Sequence, residues 1–307
     1  MNPISRRTFL QSTGALGAAL IHSSSQAAEE GGGFIDAHVH VWTPDTDRYP
    51  LAEGRKKEDM KPASFTPEEL FAHCKPVGVS RVVLIQMSFY RYDNRYMLDS
   101  MAAHPGVFAG VGVIDPESSG VADTMRSLAA KGVRGFRIVS GQDHAASWQG
   151  SAGMKTLWKT GAETRQAMCC LVNPEALPAI AGMCRAFPET PVVIDHFARI
   201  GASGTVVESD LENLLRLADF PTVHVKTSAF YALGKKKAPY EDLGPMIRRL
   251  RDAFGAERLM WASDCPYQVQ QGHTYADSIA LIRDRLDFLS AEDKAWMLGK
   301  TAEKVFF

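Results

Sequence analysis

An α/β fold, specifically a single-domain (β/α)8 TIM barrel after an N-terminal signal segment, is predicted by three features of this chain. Eight short apolar runs alternate with eight helix-like segments over residues 34–307, which is the repeat of a parallel barrel. Helix-to-strand connections are short, whereas strand-to-helix connections are long and rich in Tyr, His, Arg and Gly, as expected at the face of a barrel that carries chemistry. No G-x-G-x-x-G follows an early strand, which disfavours a doubly wound dinucleotide-binding sheet.

Residues 1–28 are predicted to be a twin-arginine signal peptide. Arg6 and Arg7 precede an uncharged, mostly apolar run that reaches Ile21, and small residues suited to cleavage follow. The run is too short to span a bilayer comfortably, so no stable membrane insertion is expected once the signal is removed. An amphipathic anchor is the alternative. Residues 29–33 are interpreted as a tether, and the barrel as a periplasmic or otherwise exported domain.

The composition favours a globular protein with a small-molecule substrate. The chain is 45% hydrophobic and 22% charged, and its formal net charge is −1. No basic surface for nucleic acid is therefore indicated. The five cysteines are odd in number and fit no disulfide framework, so reduced, buried thiols are expected in a protein that folds before export. These features leave the oligomeric state open.

The elements are predicted from apolar periodicity and from turn residues. Strands are expected at 34–42, 81–87, 107–114, 133–139, 168–172, 192–196, 223–228 and 259–263. Helices are expected at about 67–75, 94–104, 118–131, 154–165, 174–186, 208–218, 241–254 and 276–288, with a last helix opening at Ser290. The loops 43–65, 140–153 and 229–240 are expected to form the wall of the substrate pocket.

The first strand carries the strongest chemical pattern. At the period of a strand, Asp36, His38 and His40 fall on one face, opposite the apolar positions 35, 37, 39 and 41, which are expected to lie under the helix layer. Two imidazoles at i and i+2 can bind one divalent metal or direct two N–H donors at one oxygen.

The ends of later strands add further polar side chains to the same mouth. His196 is expected to point inward at the end of the sixth strand, Lys226 to face inward on the seventh, and Asp264 to end the eighth. On the fourth strand, Arg134 and Arg137 cannot both point inward, because three positions along a strand invert the face. The following loops contribute Arg199 and Tyr267 as further substrate-binding candidates.

Four motifs together resemble the amidohydrolase superfamily, in the branch that contains 2-pyrone-4,6-dicarboxylate lactonase and the sugar-acid lactonases. The motifs are FIDAHVHVW, VIDHFAR, VHVKTS and RLMWASDCP, which follow one another in this order from Phe34 towards the C-terminus. The resemblance implies a (β/α)8 barrel and hydrolysis at a carbonyl. It places the strand-one histidines at His38 and His40, the strand-six histidine at His196 and the strand-eight aspartate at Asp264.

The chain departs from the two-metal members of that superfamily. They use a Lys at the end of strand four and a His on strand five, where this chain has Arg137-Ile138-Val139 and an apolar run at 167–172. A binuclear centre is therefore rejected. The expectation is one divalent ion, zinc, or none, at His38, His40 and Asp264, with His196 near the fourth position.

The function that follows is hydrolysis of a cyclic ester, a lactone of a sugar acid or of a carboxylated ring. Asp264 is expected to act as the general base on water, while the three histidines polarise the carbonyl. Lys226 and an arginine of strand four would bind a substrate carboxylate or hydroxyl. A single-metal decarboxylase of the same superfamily and an exported, non-enzymatic sugar-acid-binding barrel are the alternatives.

Overall fold

Eight parallel strands form a nearly closed barrel in which each strand pairs with the next along the chain, in the order β1 to β8. The coordinates are a computed structural model. It describes residues 33–307 except Gly141, and for residues 140 and 142–144 only the backbone is described. The predicted signal peptide and all but the last residue of the predicted tether lie outside the described residues. Helices alternate with the strands, so the predicted (β/α)8 architecture is confirmed at this level.

The strands are short and their bounds differ from the prediction mainly at the ends. They are β1 Phe34–Val39, β2 Val79–Ile85, β3 Phe108–Gly112, β4 Val133–Ser140, β5 Ala167–Val172, β6 Val192–Ile194, β7 Val223–Ser228 and β8 Leu259–Ala262. The prediction is wrong for the end of β6, which stops at Ile194 because the backbone then enters a 3₁₀ turn. Strand β1 likewise ends before His40.

The described part of the chain has eleven α-helices. They are α1 Pro67–Cys74, α2 Arg95–Ala103, α3 Val121–Ala130, α4 Gln142–Ser147, α5 Ala152–Thr164, α6 Leu177–Ala186, α7 Glu208–Leu215, α8 Gly244–Phe254, α9 Tyr275–Ala280, α10 Ala291–Ala295 and α11 Thr301–Phe306. Helix α1 begins as predicted, because Thr66 accepts a hydrogen bond from the Glu69 amide and Pro67 occupies the first position. Among the described helices, none has the length and apolarity needed to cross a membrane.

Two layers of apolar side chains hold the barrel together. The interior cluster takes residues from six strands and from α11, which contributes Ala302 and Phe306. Helix α11 covers the amino-terminal end of the barrel, since its Glu303 pairs with Arg81 near the start of β2 at 3.0 Å. The larger outer cluster lies between the strands and the helices. All five cysteines are buried and unpaired with one another, as the sequence predicts.

The seam between β1 and β8 is closed by individual backbone hydrogen bonds at the strand ends. The His40 amide donates to the Cys265 carbonyl at 2.8 Å, and the Asp264 amide donates to the His38 carbonyl at 2.9 Å. The Asp36 carboxylate adds a bridge, since its Oδ1 accepts from the amides of His38 at 3.0 Å and Ser263 at 2.9 Å. The seam therefore fixes the positions of His38, His40 and Asp264 relative to one another.

The face assigned to Asp36 by simple alternation is wrong. The pairing of β1 with β2 shifts register between Asp36 and Val39, so the side-chain alternation changes within the strand. Ile35 and Ala37 pack in the interior cluster, while Val39 packs in the outer one. Asp36 accordingly points to the helix layer, where the Tyr275 hydroxyl of α9 donates to it, and it is absent from the mouth where the histidines lie.

Candidate active site

The Asp264 carboxylate lies among three histidine side chains at the carboxyl-terminal mouth of the barrel. Its Oδ1 is 3.6 Å from His38 Nε2 and 3.4 Å from His40 Nε2. Its Oδ2 is 3.8 Å from His196 Nε2 and accepts a hydrogen bond from the Tyr231 hydroxyl at 2.7 Å. Strands β1, β6 and β8 thus deliver the four residues to one point, as expected of the active face of a barrel.

Each histidine is oriented by a partner at its other ring nitrogen. His40 Nδ1 donates to the Ile85 carbonyl at 2.8 Å, because that oxygen can only accept. His196 Nδ1 is 2.8 Å from Ser228 Oγ, and His38 Nδ1 is 3.2 Å from Lys226 Nζ and 3.5 Å from Asp195 Oδ1. In all three rings Nε2 is the atom presented to Asp264. Histidines that are held at one ring nitrogen and directed at a common point by the other are typical of metal sites.

His196 reaches the mouth by a backbone turn rather than by strand alternation. Strand β6 has ended at Ile194, and His196 has a left-handed backbone with φ of 52°, followed by the same conformation at Phe197 and Ala198. The expectation that His196 continues the strand is therefore wrong, although its side chain does reach the site. Asp264 has φ of 64° as well. Such conformations are unfavourable for non-glycine residues and are held by surrounding structure at functional sites.

Lys226 takes a different place from the one predicted. It is fully buried, and its Nζ lies 3.0 Å from Asp195 Oδ1 and 3.2 Å from His38 Nδ1. It does not line the cavity. The predicted contact of Lys226 with a substrate carboxylate is therefore wrong. His38 separates the ammonium from the mouth, and the ammonium pairs with a protein carboxylate instead.

The two arginines of β4 are separated by the strand. Arg137 lines the cavity and places Nη1 3.4 Å from His40 Nε2, while its buried Nε has no hydrogen-bond partner within the described residues. Arg134 donates to the Ala129 carbonyl of α3 at 2.8 Å and points away from the cavity. The expected substrate-binding role of Arg134 is therefore wrong, because strand alternation turns it to the helix side.

The site opens into a cavity of about 780 Å³ that Arg137, Arg199 and Tyr267 help to line. Ala229 and residues 231–233 of the β7 loop contribute to its wall, as predicted for the loop 229–240. The predicted wall segment 43–65 contributes none of the described lining residues, and Gln86, Ser88 and Tyr92 after β2 take that side instead. The reason is that the segment 43–65 packs outside them, where the Ala52 amide donates to the Phe89 carbonyl.

Burial and neighbouring charges set the ionisation of the site. Burial raises the pKa of Asp264, but His196 and the other two histidines outweigh it and hold that pKa below its ordinary value. Burial lowers the pKa of His196 to about 4 and, with the charge of Lys226, lowers the pKa of His38. Burial and the Asp264 charge raise the pKa of Tyr231. At neutral pH the site therefore holds an ionised Asp264, neutral rings at His38 and His196, and a protonated Tyr231.

The donor set fits a divalent metal ion. His38, His196 and Asp264 offer ligand atoms that all lie within 4.8 Å of one another. His40 lies outside that group of three, but its Nε2 is 3.3 Å from His38 Nε2. His40 Nε2 is also 3.4 Å from Asp264 Oδ1, so His40 can join the same ligand set. Neutral imidazoles with a carboxylate are ligands that suit zinc.

Three residues of the site have no assigned role in the sequence prediction. Asp195 belongs to the VIDHFAR motif, and its inward direction could have been inferred from its alternation with Val193. Ser228 shares the face of Lys226 on β7 and was placed there, but its contact with His196 was not foreseen. Tyr231 lies in a predicted pocket loop, and nothing in the local sequence separates it from the other aromatic residues there.

Comparison with known proteins gives one family. A family model described as amidohydrolase matches residues 35–307. L-fucono-1,5-lactonase of Burkholderia ambifaria is 30% identical over 276 residues, which cover 87% of this chain and 93% of that protein. 4-Sulfomuconolactone hydrolase of Rhizobium radiobacter is 27% identical over 237 residues, 76% of each chain.

A solved structure shares the architecture. An amidohydrolase from Burkholderia multivorans, described with zinc bound, matches with a TM-score of 0.71 at 21% identity, over 89% of this chain and 98% of the other. At that identity the likeness shows the fold alone.

Proposed function

Because the chain belongs to the amidohydrolase family and is an enzyme of that superfamily, we propose that it hydrolyses a lactone by attack of water on the ring carbonyl. The observation that carries this proposal is the ionised Asp264 carboxylate held among three histidines at the floor of the cavity. The relatives named above are lactone hydrolases of related length, and the substrate class is taken from that shared chemistry.

Asp264 is the general base. Its pKa lies below the ordinary range, so the carboxylate is available at neutral pH to take a proton from the attacking water. The Tyr231 hydroxyl donates to Oδ2 and leaves Oδ1 towards His38 and His40. After the carbon–oxygen bond of the ring breaks, the protonated Asp264 returns its proton to the departing alkoxide, and the product is a hydroxy acid.

His38, His40 and His196 are the groups that polarise the carbonyl, and we propose that they and Asp264 hold one divalent ion, zinc. When bound, such an ion acts as a Lewis acid on the carbonyl and lowers the pKa of water. The residues contribute orientation: the Ile85 carbonyl, Ser228 and Asp195 fix the three rings with Nε2 directed at the mouth. Arg137 lies beside His40 and can donate to the developing oxyanion.

Anionic groups of the substrate are bound by the arginines of the cavity. Arg137 has a buried Nε without a hydrogen-bond partner in the described part of the chain, which is a donor that a ligand oxygen would satisfy. Arg199 lines the same cavity and is held by Asn173 Oδ1 at 3.2 Å. Tyr267 lies edge-on to His40, with ring centroids 5.9 Å apart, and bounds the place of the lactone ring.

The test is substitution of the general base. Asp264→Asn keeps the shape of the side chain and removes its basicity, so we expect kcat to fall about 10²- to 10⁴-fold on any lactone that the unchanged enzyme opens. Proton release measured with a pH indicator reports the rate. Asp123→Asn, at an exposed position of α3, is the matched control and should keep full activity. Undiminished turnover by the Asp264→Asn enzyme would show that another group is the base.

We also propose that the protein is exported through a twin-arginine signal. The support is the sequence pattern alone: Arg6-Arg7, the short apolar run and the small residues before Ala28.

A further inference from the structure

One half of the cavity is apolar, and it lies across the barrel mouth from Asp264. With the strands in the order β1 to β8, β4 stands opposite β8. The lining residues on that side come from the ends of β3, β4 and β5 and from helix α5. We call them the apolar wall: Val113, Ile114, Val139, Met154, Leu157 and Leu171. The catalytic cluster and the apolar wall therefore form opposite sides of one cavity.

The apolar wall has one strongly exposed residue; Val113, Ile114 and Leu171 are partly exposed, whereas Met154 and Leu157 are buried. Val139 is 59% exposed, and Tyr92, which lines the same cavity, is 40% exposed. Only two other large hydrophobic residues of the described chain, Val207 and Phe307, are exposed to this extent. Apolar surface concentrated in a cavity marks a site where a ligand covers it.

The charged residues that line the cavity are mostly cationic. Arg91, Arg137 and Arg199 are lining residues, and Asp264 is the one carboxylate among the described residues that line it. At about 780 Å³ the cavity is in the upper part of the range of roughly 300–1,000 Å³ for small-molecule sites. A bare lactone ring bound at Asp264 would leave the apolar wall in contact with water.

From these observations, and resting on the proposed lactone hydrolysis, we infer that the substrate is an amphiphilic lactone. It carries an anionic group for the arginines and a hydrocarbon or aromatic substituent that lies against the apolar wall. A polyhydroxylated sugar-acid lactone fits less well, because its hydroxyl groups on that side would lose water without gaining hydrogen bonds from the side chains of Ile114, Val139 or Leu171.

The first experiment compares three lactones that share a carboxylated six-membered ring. One has no further substituent, one carries hydroxyl groups, and one carries a butyl or phenyl group. We expect kcat/KM for the apolar lactone to exceed that for the hydroxylated one at least about tenfold, because burying one additional apolar group in a pocket raises kcat/KM by roughly this factor. A preference for the hydroxylated lactone overturns the inference and leaves lactone hydrolysis standing.

Binding is measured separately from turnover. In the Asp264→Asn variant, calorimetry should show the apolar lactone binding about tenfold more tightly than the hydroxylated one. If the unchanged enzyme opens none of the three lactones, the proposed reaction fails, and the calorimetric comparison still decides the inference. Equal or reversed affinities overturn it.

Substitutions in the wall locate the effect. Val139→Asn places an amide on an exposed position of the wall, and Leu171→Asn does so at the end of β5. Each should reduce the preference for the apolar over the hydroxylated lactone about tenfold. Val207→Asn is the matched control, because Val207 is 46% exposed and does not line the cavity, so its preference should equal that of the unchanged enzyme. An unaltered preference in both wall variants contradicts the assignment.

Discussion

At the scale of single residues, a buried ion pair stands directly behind the histidine cluster. Lys226 and Asp195 are both fully buried and 3.0 Å apart, and both approach His38 Nδ1. Burial raises the pKa of Asp195, but the charge of Lys226 and the neighbouring His38 ring outweigh it, so that pKa lies well below its ordinary value. The pair therefore fixes the His38 ring and places two compensating charges inside the barrel.

Removing one partner of this ion pair should destabilise the fold, because the charge of the other partner is then buried without compensation. Lys226→Met leaves the Asp195 carboxylate buried and unpaired, so we expect a loss of about 3–5 kcal/mol in the free energy of unfolding, measured with urea. The double variant with Asp195→Asn should regain part of that loss. Arg126→Met, which breaks exposed ion pairs with Asp123 and Glu163, is the control and should change stability little. A loss no larger in Lys226→Met than in the control would refute the argument.

The metal content of the site is a second prediction at this scale. We expect one equivalent of a divalent ion, zinc, in protein purified without chelator, because the cluster offers one set of close ligand atoms. Apolar Val139 and Leu171 occupy the strand ends that would have to supply a second site. His196→Ala should lower the content well below one equivalent, whereas His73→Ala, on the exposed side of α1, should not. Elemental analysis measures both.

Two outcomes of the metal analysis would change the proposal. Two equivalents per chain would contradict the single site. No metal, together with full activity in EDTA, would show that the histidines and Arg137 act on the carbonyl directly. If an ion is bound, its removal should lower the melting temperature, because it stabilises only the folded state.

At the scale of secondary-structure elements, the decisive feature is the seam between β1 and β8. Ile35 and Ala37 point into the interior cluster and Asp36 to the helix layer by ordinary alternation, and the register shift between Asp36 and Val39 separates the face of Asp36 from that of His38. Asp36 then joins β1 to β8 through two backbone amides. Burial raises its pKa to about 6 despite those bonds. The aspartate that accompanies the histidines in the sequence is therefore a structural link of the barrel.

Substitutions at Asp36 should separate its hydrogen bonds from its charge. Asp36→Ala leaves the buried amides of His38 and Ser263 without this acceptor, which costs about 1–3 kcal/mol for each donor. Asp36→Asn keeps an oxygen for these amides and should cost less. Urea unfolding compares the variants, and hydrogen exchange at the His38 amide should quicken most in the alanine variant. Equal losses in both variants would exclude the two amide bonds as the cause.

At the scale of the whole molecule, the chemistry and the long loops share one face, while the other end of the barrel is closed by α11. This division allows the cavity to vary without disturbing the core. Residues 34–307 form one compact unit. The proposed location in the cell rests on the sequence pattern of residues 1–28 alone.

The export proposal is tested by a substitution that conserves charge. Replacing Arg6 and Arg7 by lysine keeps two positive charges but removes the twin-arginine pair, so the protein should stay in the cytoplasmic fraction of a bacterium with that pathway. The unchanged protein should appear in the periplasmic fraction, as followed by immunoblotting. Continued export of the twin-lysine variant would indicate a secretory signal that requires positive charge but not the arginine pair.

The sequence by itself determined the alternation of eight strands with helices, the active face, and the convergence of His38, His40, His196 and Asp264 on one mouth. These follow from local patterns, because apolar periodicity, caps and turn residues act over a few neighbouring positions. The order of the four sequence motifs indicated the reaction class. Arg137 and Arg134 were correctly expected to point in opposite directions, since strand alternation is local as well.

Only the tertiary structure decided which side chains meet within that mouth. The register shift that puts Asp36 and His38 on different faces depends on pairing with a strand more than 40 positions later, and the left-handed turn that aims His196 is held by its surroundings. Lys226 became a buried partner of Asp195 rather than a substrate ligand because the ring of His38, from the far end of the chain, lies between it and the cavity. Contacts between distant segments carry no local sequence signal, and they are the physical origin of this site.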